Sequence, residues 1–200
     1  MEPDFSRRLS PAVYRGDAFE LAQNYLLGAY LCSEIDGELT AGMITELEVY
    51  IGCDKACHAW PNKKTPRTAT MFKPGGCAYV FFVYGMYNQF NVVAGPEGTA
   101  NAVLIRSLEP VSGLETMMRR RKCENPANLT TGPGKLCQAL AVTRREHDGI
   151  DLGGNTVWIS PGKGGYPFVA RPRIGIDYAE EYKDKPWRFY IKDNRFVSKK

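Results

Sequence analysis

Two long stretches of the chain alternate hydrophobic and polar residues, and each contains a turn signal. Residues 29–50, AYLCSEIDGELTAGMITELEVY, divide into two runs about Asp36-Gly37, a dipeptide typical of tight β-hairpins. Residues 77–110, CAYVFFVYGMYNQFNVVAGPEGTANAVLIRSLEP, repeat the arrangement with GPEG as the turn. The pattern therefore predicts two antiparallel hairpins.

Three helices are predicted around these strands. Asp17 begins a capping-box pattern ahead of the apolar periodic run FELAQNYLL. Ser112 is the expected cap of a second helix that ends in the basic run 119–122, and Pro133 is expected in the first turn of a third. Shorter strand patterns follow in NTVWIS, RPRIGI and WRFYIK.

These elements predict the fold class. The strands come as hairpins and do not alternate with helices, which favours an α+β fold with an antiparallel, curved β-sheet and flanking helices. The chain contains no internal repeat, linker or low-complexity tract. We therefore expect a single compact domain over residues 1–200.

The second strand of the first hairpin carries two carboxylates. Alternation places Ile44, Glu46, Glu48 and Tyr50 on one face, opposite an apolar face that we expect to be buried. The acidic face must then meet water or a cleft. Two hypotheses remain open at this point: an ordinary solvated strand face, or a catalytic carboxylate beside an aromatic ring, with His58 a few residues further along.

Charge, apolar runs and cysteine content indicate where the protein works better than they indicate what it does. The net charge is +4, from 26 Lys and Arg against 22 Asp and Glu, which suits a polyanionic partner but is also common in ordinary enzymes. No stretch approaches the ~20 apolar residues of a membrane span, and the first residues lack the apolar run of a signal peptide. We expect no membrane partner, no secretion and six reduced cysteines.

Other residue clusters suggest chemistry of their own. The second hairpin is rich in aromatic residues: we expect Phe82 in the core and Tyr84, next to a glycine, exposed at a bend. Exposed aromatic rings interleaved with basic residues are typical of nucleic-acid binding, although solvated charge explains the basic residues equally well. The basic residues are Lys63, Lys64, Arg67, Lys73 and Arg106.

Two motifs are incomplete. TTGPGK lacks the glycine at 129 and the Ser or Thr at 136 of a nucleotide-binding phosphate loop, so Lys135 at a helix start could hold at most one backbone phosphate. Cys53, Cys57 and His58 suggest a zinc-stabilised interaction domain, but a fourth ligand at a recognisable spacing is missing.

Several blocks, in order from about residue 13 to 192, together carry a family resemblance. They are TELEVYIG, the histidine at 58, KTPRTATMFKPG, YVFFVYGMYNQFN, AVLIRSLEP, GLETM and TTGPGKLCQAL, with RIGI and KPWRFY matching more weakly. In these blocks the chain resembles the alkyladenine (3-methyladenine) DNA glycosylases of the mammalian type, a family also found in bacteria. The resemblance implies a metal-free, cofactor-free enzyme that excises alkylated or deaminated purines from duplex DNA and leaves an abasic site. It also implies a single domain with a β-hairpin that projects into the minor groove, and action in the cytoplasm or nucleoid of a bacterium or in the nucleus of a eukaryote.

The resemblance also implies residue roles. Glu48 matches the general base that activates water, and Arg106 matches an arginine near that water, which the carbonyl of Ile174 helps to hold. Tyr84 matches the hairpin-tip ring that fills the gap left by the flipped nucleotide. The base pocket matches Tyr50, His58, Phe81 and Asn91, the last disfavouring the 2-amino group of guanine.

The chain differs from the better-known members at three points. Phe81 stands in place of a tyrosine, the loop between Tyr50 and His58 is one residue shorter, and this loop carries Cys53 and Cys57. These differences bear on the range of lesions. A non-catalytic nucleic-acid-binding domain built on the same aromatic and basic surface is the alternative; it would not need Glu48, Tyr50 and His58 together. We expect a monomer.

Overall fold

The computed structural model describes residues 3–200 and is built around one antiparallel sheet. Its eight strands follow the order β3-β4-β5-β2-β1-β6, and β8 pairs with both β2 and β7. The strands are β1 (Tyr30–Ile35), β2 (Glu38–Tyr50), β3 (Ala78–Val83), β4 (Tyr87–Ala94), β5 (Asn101–Ser112), β6 (Val157–Ser160), β7 (Phe168–Arg171) and β8 (Arg188–Ile191). The α+β prediction is therefore confirmed.

The helices are short and pack around the sheet. They are α1 (Pro11–Tyr14), α2 (Ala18–Glu20), which continues as a π-helical turn over Leu21–Leu26, α3 (Leu114–Arg121), α4 (Pro133–Ala139) and α5 (Arg144–His147). Three 3₁₀ turns lie at Ala69–Phe72, Pro126–Asn128 and Glu180–Tyr182. No helix within residues 3–200 is long and apolar enough to cross a membrane.

The first hairpin forms as predicted. Asp36 and Gly37 both adopt positive φ angles, 57° and 73°, which is the requirement of a two-residue turn whose twist matches the flanking strands. Asp17 caps α2 by accepting from the N–H groups of Phe19 and Glu20, and Pro133 begins α4. These local signals are confirmed because the interactions that they imply are themselves local.

Three local predictions are wrong. Residues 77–110 form three strands, because a second turn at Tyr84-Gly85 separates β3 from β4. The residue before α3 is Gly113, with φ 71° and no side-chain cap, since Ser112 still belongs to β5. RPRIGI contributes only its first residue to a strand, β7.

Strand β2 is the centre of the molecule. Its first half pairs with β1, its Glu46–Glu48 segment pairs with β8, and β5 follows it along the other edge. The register with β5 shifts on either side of Glu46, so that Thr45 on β2 and Arg106 on β5 are both extra residues. Such bulges bend a sheet and redirect side chains. The Thr45 bulge also moves Ile44 into the same core cluster as Leu47 and Val49, against the predicted alternation.

Candidate active site

One face of the sheet gathers polar and aromatic side chains into a row. Residues that pair across antiparallel strands point to the same side. Glu48 pairs with Leu104, Leu104 with Asn91, and Asn91 with Tyr79. The row therefore crosses β2, β5, β4 and β3, and its two ends, Glu48 and Tyr79, are 31 positions apart in the sequence.

Glu46 and Glu48 are both completely buried, with no exposed side-chain surface. The prediction that their face meets water or an open cleft is therefore wrong for the carboxylates themselves. Strand β8 joins β2 at these residues and covers Glu46, while Tyr50, Arg106 and Ile174 surround Glu48. The solvated-face interpretation is excluded.

The carboxylate of Glu48 has three partners. The hydroxyl of Tyr50 donates to Oε2 at 2.7 Å, and the N–H of Ile174 donates to Oε1 at 2.8 Å. Nη1 of Arg106 lies 3.2 Å from Oε1. A buried carboxylate needs this kind of compensation for the water that it loses. Burial, and then the charge of Glu48, raise the pKa of Tyr50 well above its ordinary value, so Tyr50 remains a hydrogen-bond donor.

A cavity of about 260 Å³ opens on the other side of these partners. Each pocket residue predicted from the sequence lines it, as do the contact residues of Glu48, so the carboxylate lies directly behind the cavity wall. The predicted residues on the lining are Tyr50, His58, Phe81, Tyr84, Asn91 and Arg106.

The aromatic wall of the cavity is a contacting pair. The rings of His58 and Phe81 meet edge to face with centroids 4.5 Å apart, so no base fits between them and they form one side of the cavity. Tyr79, whose ring centroid lies 5.7 Å from that of Phe81, extends this wall. Tyr50 is the remaining predicted ring that can form the opposite wall.

His58 is held as a neutral imidazole. Arg67, which can only donate, reaches Nε2 at 3.4 Å, so Nδ1 carries the proton and donates to the hydroxyl of Tyr79 at 2.9 Å. Partial burial, and then the charge of Arg67, lower the pKa of His58 to about 4. The imidazole therefore adds no positive charge to the cavity at neutral pH.

A buried ion pair supports the loop that carries His58. Asp54 and Arg173 have no exposed side-chain surface, and Arg173 also donates to the carbonyl of Val49 at 2.9 Å. The guanidinium of Arg173 lies 4.6 Å from the centre of the Tyr50 ring, a cation–π distance. Sequence reasoning missed this pair because its members are 119 residues apart.

Other cavity residues were also missed. Tyr79, Gln89 and Tyr178 line the cavity, and Asn91 donates to the carbonyl of Tyr79 at 3.1 Å. The two-residue period of β3, which places Tyr79 on the same face as Phe81, could have identified Tyr79. No strand or helix pattern includes Tyr178, which lies in a loop.

The tip of the β3–β4 hairpin is exposed and aromatic. Tyr84 is 83% exposed and Met86 64%. Phe82 is 47% exposed, so its predicted place in the core is wrong. On a strand that leaves the body of the molecule, both faces lose their core neighbours. The prediction of an exposed Tyr84 at a bend is confirmed.

The predicted basic residues differ in their surroundings. Lys63, Lys64 and Arg67 are exposed in the segment that follows His58. Lys73 donates to the carbonyl of Gly149, and Lys135 is half-buried on α4. The basic run at 119–122 contacts the protein itself: Arg119 and Arg120 pair with Glu38, and Arg121 donates to the carbonyl of Leu129.

The cysteine cluster does not converge on a metal site. Within residues 3–200, no group of three or more His, Cys, Asp or Glu side chains is arranged to hold a metal ion. Cys53 is exposed and Cys57 is buried, and all six cysteines are free thiols. Burial raises the pKa of Cys57 to about 11, so it is a protonated, unreactive thiol at neutral pH.

Comparison with known proteins gives a consistent result. A model of the methylpurine-DNA glycosylase (MPG) family matches residues 12–195. A relative from Alkaliphilus oremlandii is 45% identical, over 96% of this chain and 100% of its own length. A relative from Clostridium acetobutylicum is 46% identical, over 92% of this chain and 94% of its own length. A relative from Bacillus cereus strain ATCC 14579 is 46% identical, over 95% of this chain and 98% of its own length. All three carry the name "Putative 3-methyladenine DNA glycosylase".

Proposed function

Since the chain belongs to the methylpurine-DNA glycosylase family, it is a monofunctional DNA glycosylase of base-excision repair, and we propose that it removes alkylated or deaminated purines from duplex DNA. The names of its relatives make 3-methyladenine the first lesion to consider. Hydrolysis of the N-glycosidic bond would release the free base and leave an abasic site.

The observation that carries this proposal is a buried carboxylate behind the wall of an aromatic cavity. Pockets for small molecules generally exceed roughly 300 Å³, so a cavity of about 260 Å³ suits a single base better than a larger ligand. The base would enter between Tyr50 and the wall of Phe81 and His58. Its sugar carbon would then face Arg106, Ile174 and the carboxylate behind them.

Glu48 supplies two effects in the proposed reaction. Departure of the base leaves a sugar with oxocarbenium character, which a nearby carboxylate stabilises. A carboxylate has about four acceptor positions, and its three partners here leave one for a water molecule whose proton Glu48 would take. Arg106 holds the carboxylate in place, and the carbonyl of Ile174 is the second proposed acceptor for that water.

The cavity also suggests how lesions are selected. Purines methylated at N3 or N7 are cationic, and stacking on aromatic rings favours a cation by about 0.5–2 kcal/mol. Neutral His58 adds no repulsion to such a base. Asn91 is held by its bond to the Tyr79 carbonyl at the base-facing surface of the sheet, where it would exclude the 2-amino group of guanine. Leaving-group ability accounts for the remaining selectivity.

The exposed hairpin tip is the proposed means of extruding the base. A base inside a duplex is out of reach, so the nucleotide must swing out and the gap must be filled. Tyr84, 83% exposed and at the edge of the cavity, is placed to fill it. Phosphates would be contacted by Lys63, Lys64, Arg67, Lys73 and Lys135.

We propose that the protein acts as a monomer on damaged duplex DNA and uses no cofactor. The relatives described above are bacterial, which supports action on chromosomal DNA in the cytoplasm. The alternative of a non-catalytic binding domain is not favoured, because it has no need of a completely buried carboxylate behind the cavity wall.

Single-turnover excision by wild type and by Glu48→Gln tests the assignment. The substrates are duplex oligonucleotides with a single hypoxanthine, ethenoadenine or 7-methylguanine. We expect the wild type to release at least one of these bases. We expect Glu48→Gln to lose excision and to keep lesion binding, because it preserves shape and removes the charge and the base. Glu97→Gln, the same change at an exposed turn residue, is the control and should match the wild type.

Two results would contradict the proposal. Equal rates for Glu48→Gln and wild type would remove Glu48 from the reaction. Failure of the wild type to release any damaged purine, while it still binds the duplexes, would leave the cavity as a binding site only.

A further inference from the structure

The second carboxylate of β2, Glu46, has no part in the function proposed above, yet it is as closely held as Glu48. Its side chain is completely buried. Oε1 accepts from Nη1 of Arg188 at 2.8 Å and from Nε of Arg106 at 3.3 Å, and Oε2 accepts from the N–H of Ser198 at 2.7 Å. Two arginine side chains and one backbone N–H therefore fix the position of this buried carboxylate.

Arg106 connects the two carboxylates. Its Nε contacts Glu46 while its Nη1 lies 3.2 Å from Glu48. The guanidinium is a rigid plane, so a bond that fixes Nε also fixes the direction of Nη1. The bulge at Arg106 brings this side chain between the two acids, and only 8% of the residue is exposed. The orientation of Arg106 toward Glu48 therefore depends on Glu46.

Glu46 is in turn held by a distant part of the chain, the 194–199 segment. The hydroxyl of Thr45 donates to the carbonyl of Phe196 at 2.6 Å, and Nη1 of Arg188 donates to the carbonyl of Lys199 at 2.7 Å. The N–H of Ser198 completes the shell of Glu46. Phe196 is only 3% exposed, which anchors the segment.

We propose that Glu46, secured by Arg188 and the 194–199 segment, is a positioning residue that aims Arg106 at the Glu48 carboxylate. This inference rests on the function proposed for Glu48. Without the negative charge of Glu46, Nε of Arg106 loses its charged partner, so the guanidinium is no longer held in the orientation that places Nη1 beside Glu48. The geometry of the attacking water would change, while the DNA-contacting surface would not. Glu46 thereby explains why the strand carries two carboxylates.

Glu46→Gln tests the proposal directly. The side chain keeps its shape and loses its charge. Because a misplacement of about 1 Å at a catalytic group costs up to roughly 100-fold in rate, we expect the single-turnover rate to fall by about 10- to 100-fold. The Kd for lesion-containing duplex should equal that of the wild type. If Glu46 only stabilised the fold, its substitution would not lower the excision rate of the bound complex while leaving the Kd unchanged.

Ser33→Ala is the control for general loss of stability. The hydroxyl of Ser33 is buried on β1 and donates to the carbonyl of Leu140 at 2.8 Å, without contact with Glu46 or the 194–199 segment. We expect it to lower the melting temperature while the excision rate of the bound complex stays at the wild-type value. Loss of rate in Ser33→Ala equal to that in Glu46→Gln would overturn the proposal, because general loosening would then explain both.

A pair of substitutions at residue 198 tests the segment. The contact with Glu46 comes from the backbone N–H, and the Ser198 hydroxyl is buried without a partner in residues 3–200. Ser198→Pro, which removes the N–H, should slow excision. Ser198→Ala, which keeps it, should not.

The outcomes separate the two proposals. If the wild type excises, Glu48→Gln does not, and Glu46→Gln excises at the wild-type rate, the role of Glu46 is overturned and the proposed function remains intact. If Ser198→Pro does not fold, Glu46→Gln with its affinity measurement still decides the question. Absence of excision by the wild type would instead count against the proposed function.

Discussion

At the scale of single residues, buried neighbours decide how each polar group behaves. Sequence alternation indicated that Glu46, Glu48 and Tyr50 share a strand face, but not that β8 and the loop around Ile174 would bury both acids. Those contacts join residues 126 or more positions apart, and no local pattern encodes them. For the same reason the Asp54–Arg173 pair could not be predicted, whereas the local cap at Asp17 could.

His58 gives a prediction about stability and pH. Its pKa is about 4 in the folded protein, against an ordinary value of 6.5. Between these values the unfolded chain binds a proton that the folded protein does not. The free energy of unfolding therefore decreases as the pH falls from 6.5 to 4, and this contribution is constant outside that window. Because the ring is partly exposed, solvent reduces the effect.

Urea unfolding of wild type and of His58→Gln between pH 4 and 7 measures this contribution. We expect the wild type to lose more stability than the variant as the pH falls. His147, the other histidine, and all carboxylates are common to both proteins, so the difference isolates residue 58. Parallel curves would show that His58 titrates alike in the folded and unfolded states.

At the scale of elements, turn chemistry explains which hairpin was predicted and which was missed. Asp36-Gly37 is a preferred sequence for its turn and was predicted correctly. In the β3–β4 turn the first position belongs to Tyr84, which has φ 55°, followed by Gly85 at 67°. A bulky residue rarely adopts a positive φ, so the strand pattern did not place a hairpin turn there, although Gly85 indicated a bend at Tyr84. The contact with DNA proposed above for this ring would offset the backbone strain.

Substitution of Tyr84 should therefore trade stability against activity. Tyr84→Asn creates Asn-Gly, the preferred pair for such a turn, and relieves left-handed strain of about 1 kcal/mol. We expect a higher free energy of unfolding, measured with urea, together with weaker lesion-specific binding and slower excision. Tyr84→Phe, which keeps the ring, is the control and should excise like the wild type. If Tyr84→Asn excised the lesion at the wild-type rate, the ring would not be what fills the gap in the duplex.

At the scale of the whole molecule, the sheet brings the site together from both ends of the chain. The α+β class followed from the order of strands and helices. The pairing of β8 with the middle of β2 did not, because strand pairing across about 140 residues leaves no local signal in the sequence. The burial of Glu46 depends on that pairing, since Arg188 of β8 donates to its carboxylate. Sequence reasoning therefore proposed part of the candidate site, including Glu48, Tyr50 and Asn91, but did not predict how deeply its carboxylates are buried.

The distribution of charge over the surface leads to a prediction about DNA affinity. Each phosphate contact releases counterions, so its loss reduces the slope of log K against log salt concentration by about 0.9. Lys63 is exposed five residues after His58, whereas Arg119 is already paired with Glu38 at 2.5 Å. Lys63→Gln and Arg119→Gln change the net charge equally. We expect only Lys63→Gln to reduce the slope, measured by fluorescence anisotropy from 50 to 200 mM salt.

If both variants reduced the slope alike, net charge would govern affinity. A reduction by Arg119→Gln alone would move the DNA-binding surface to α3.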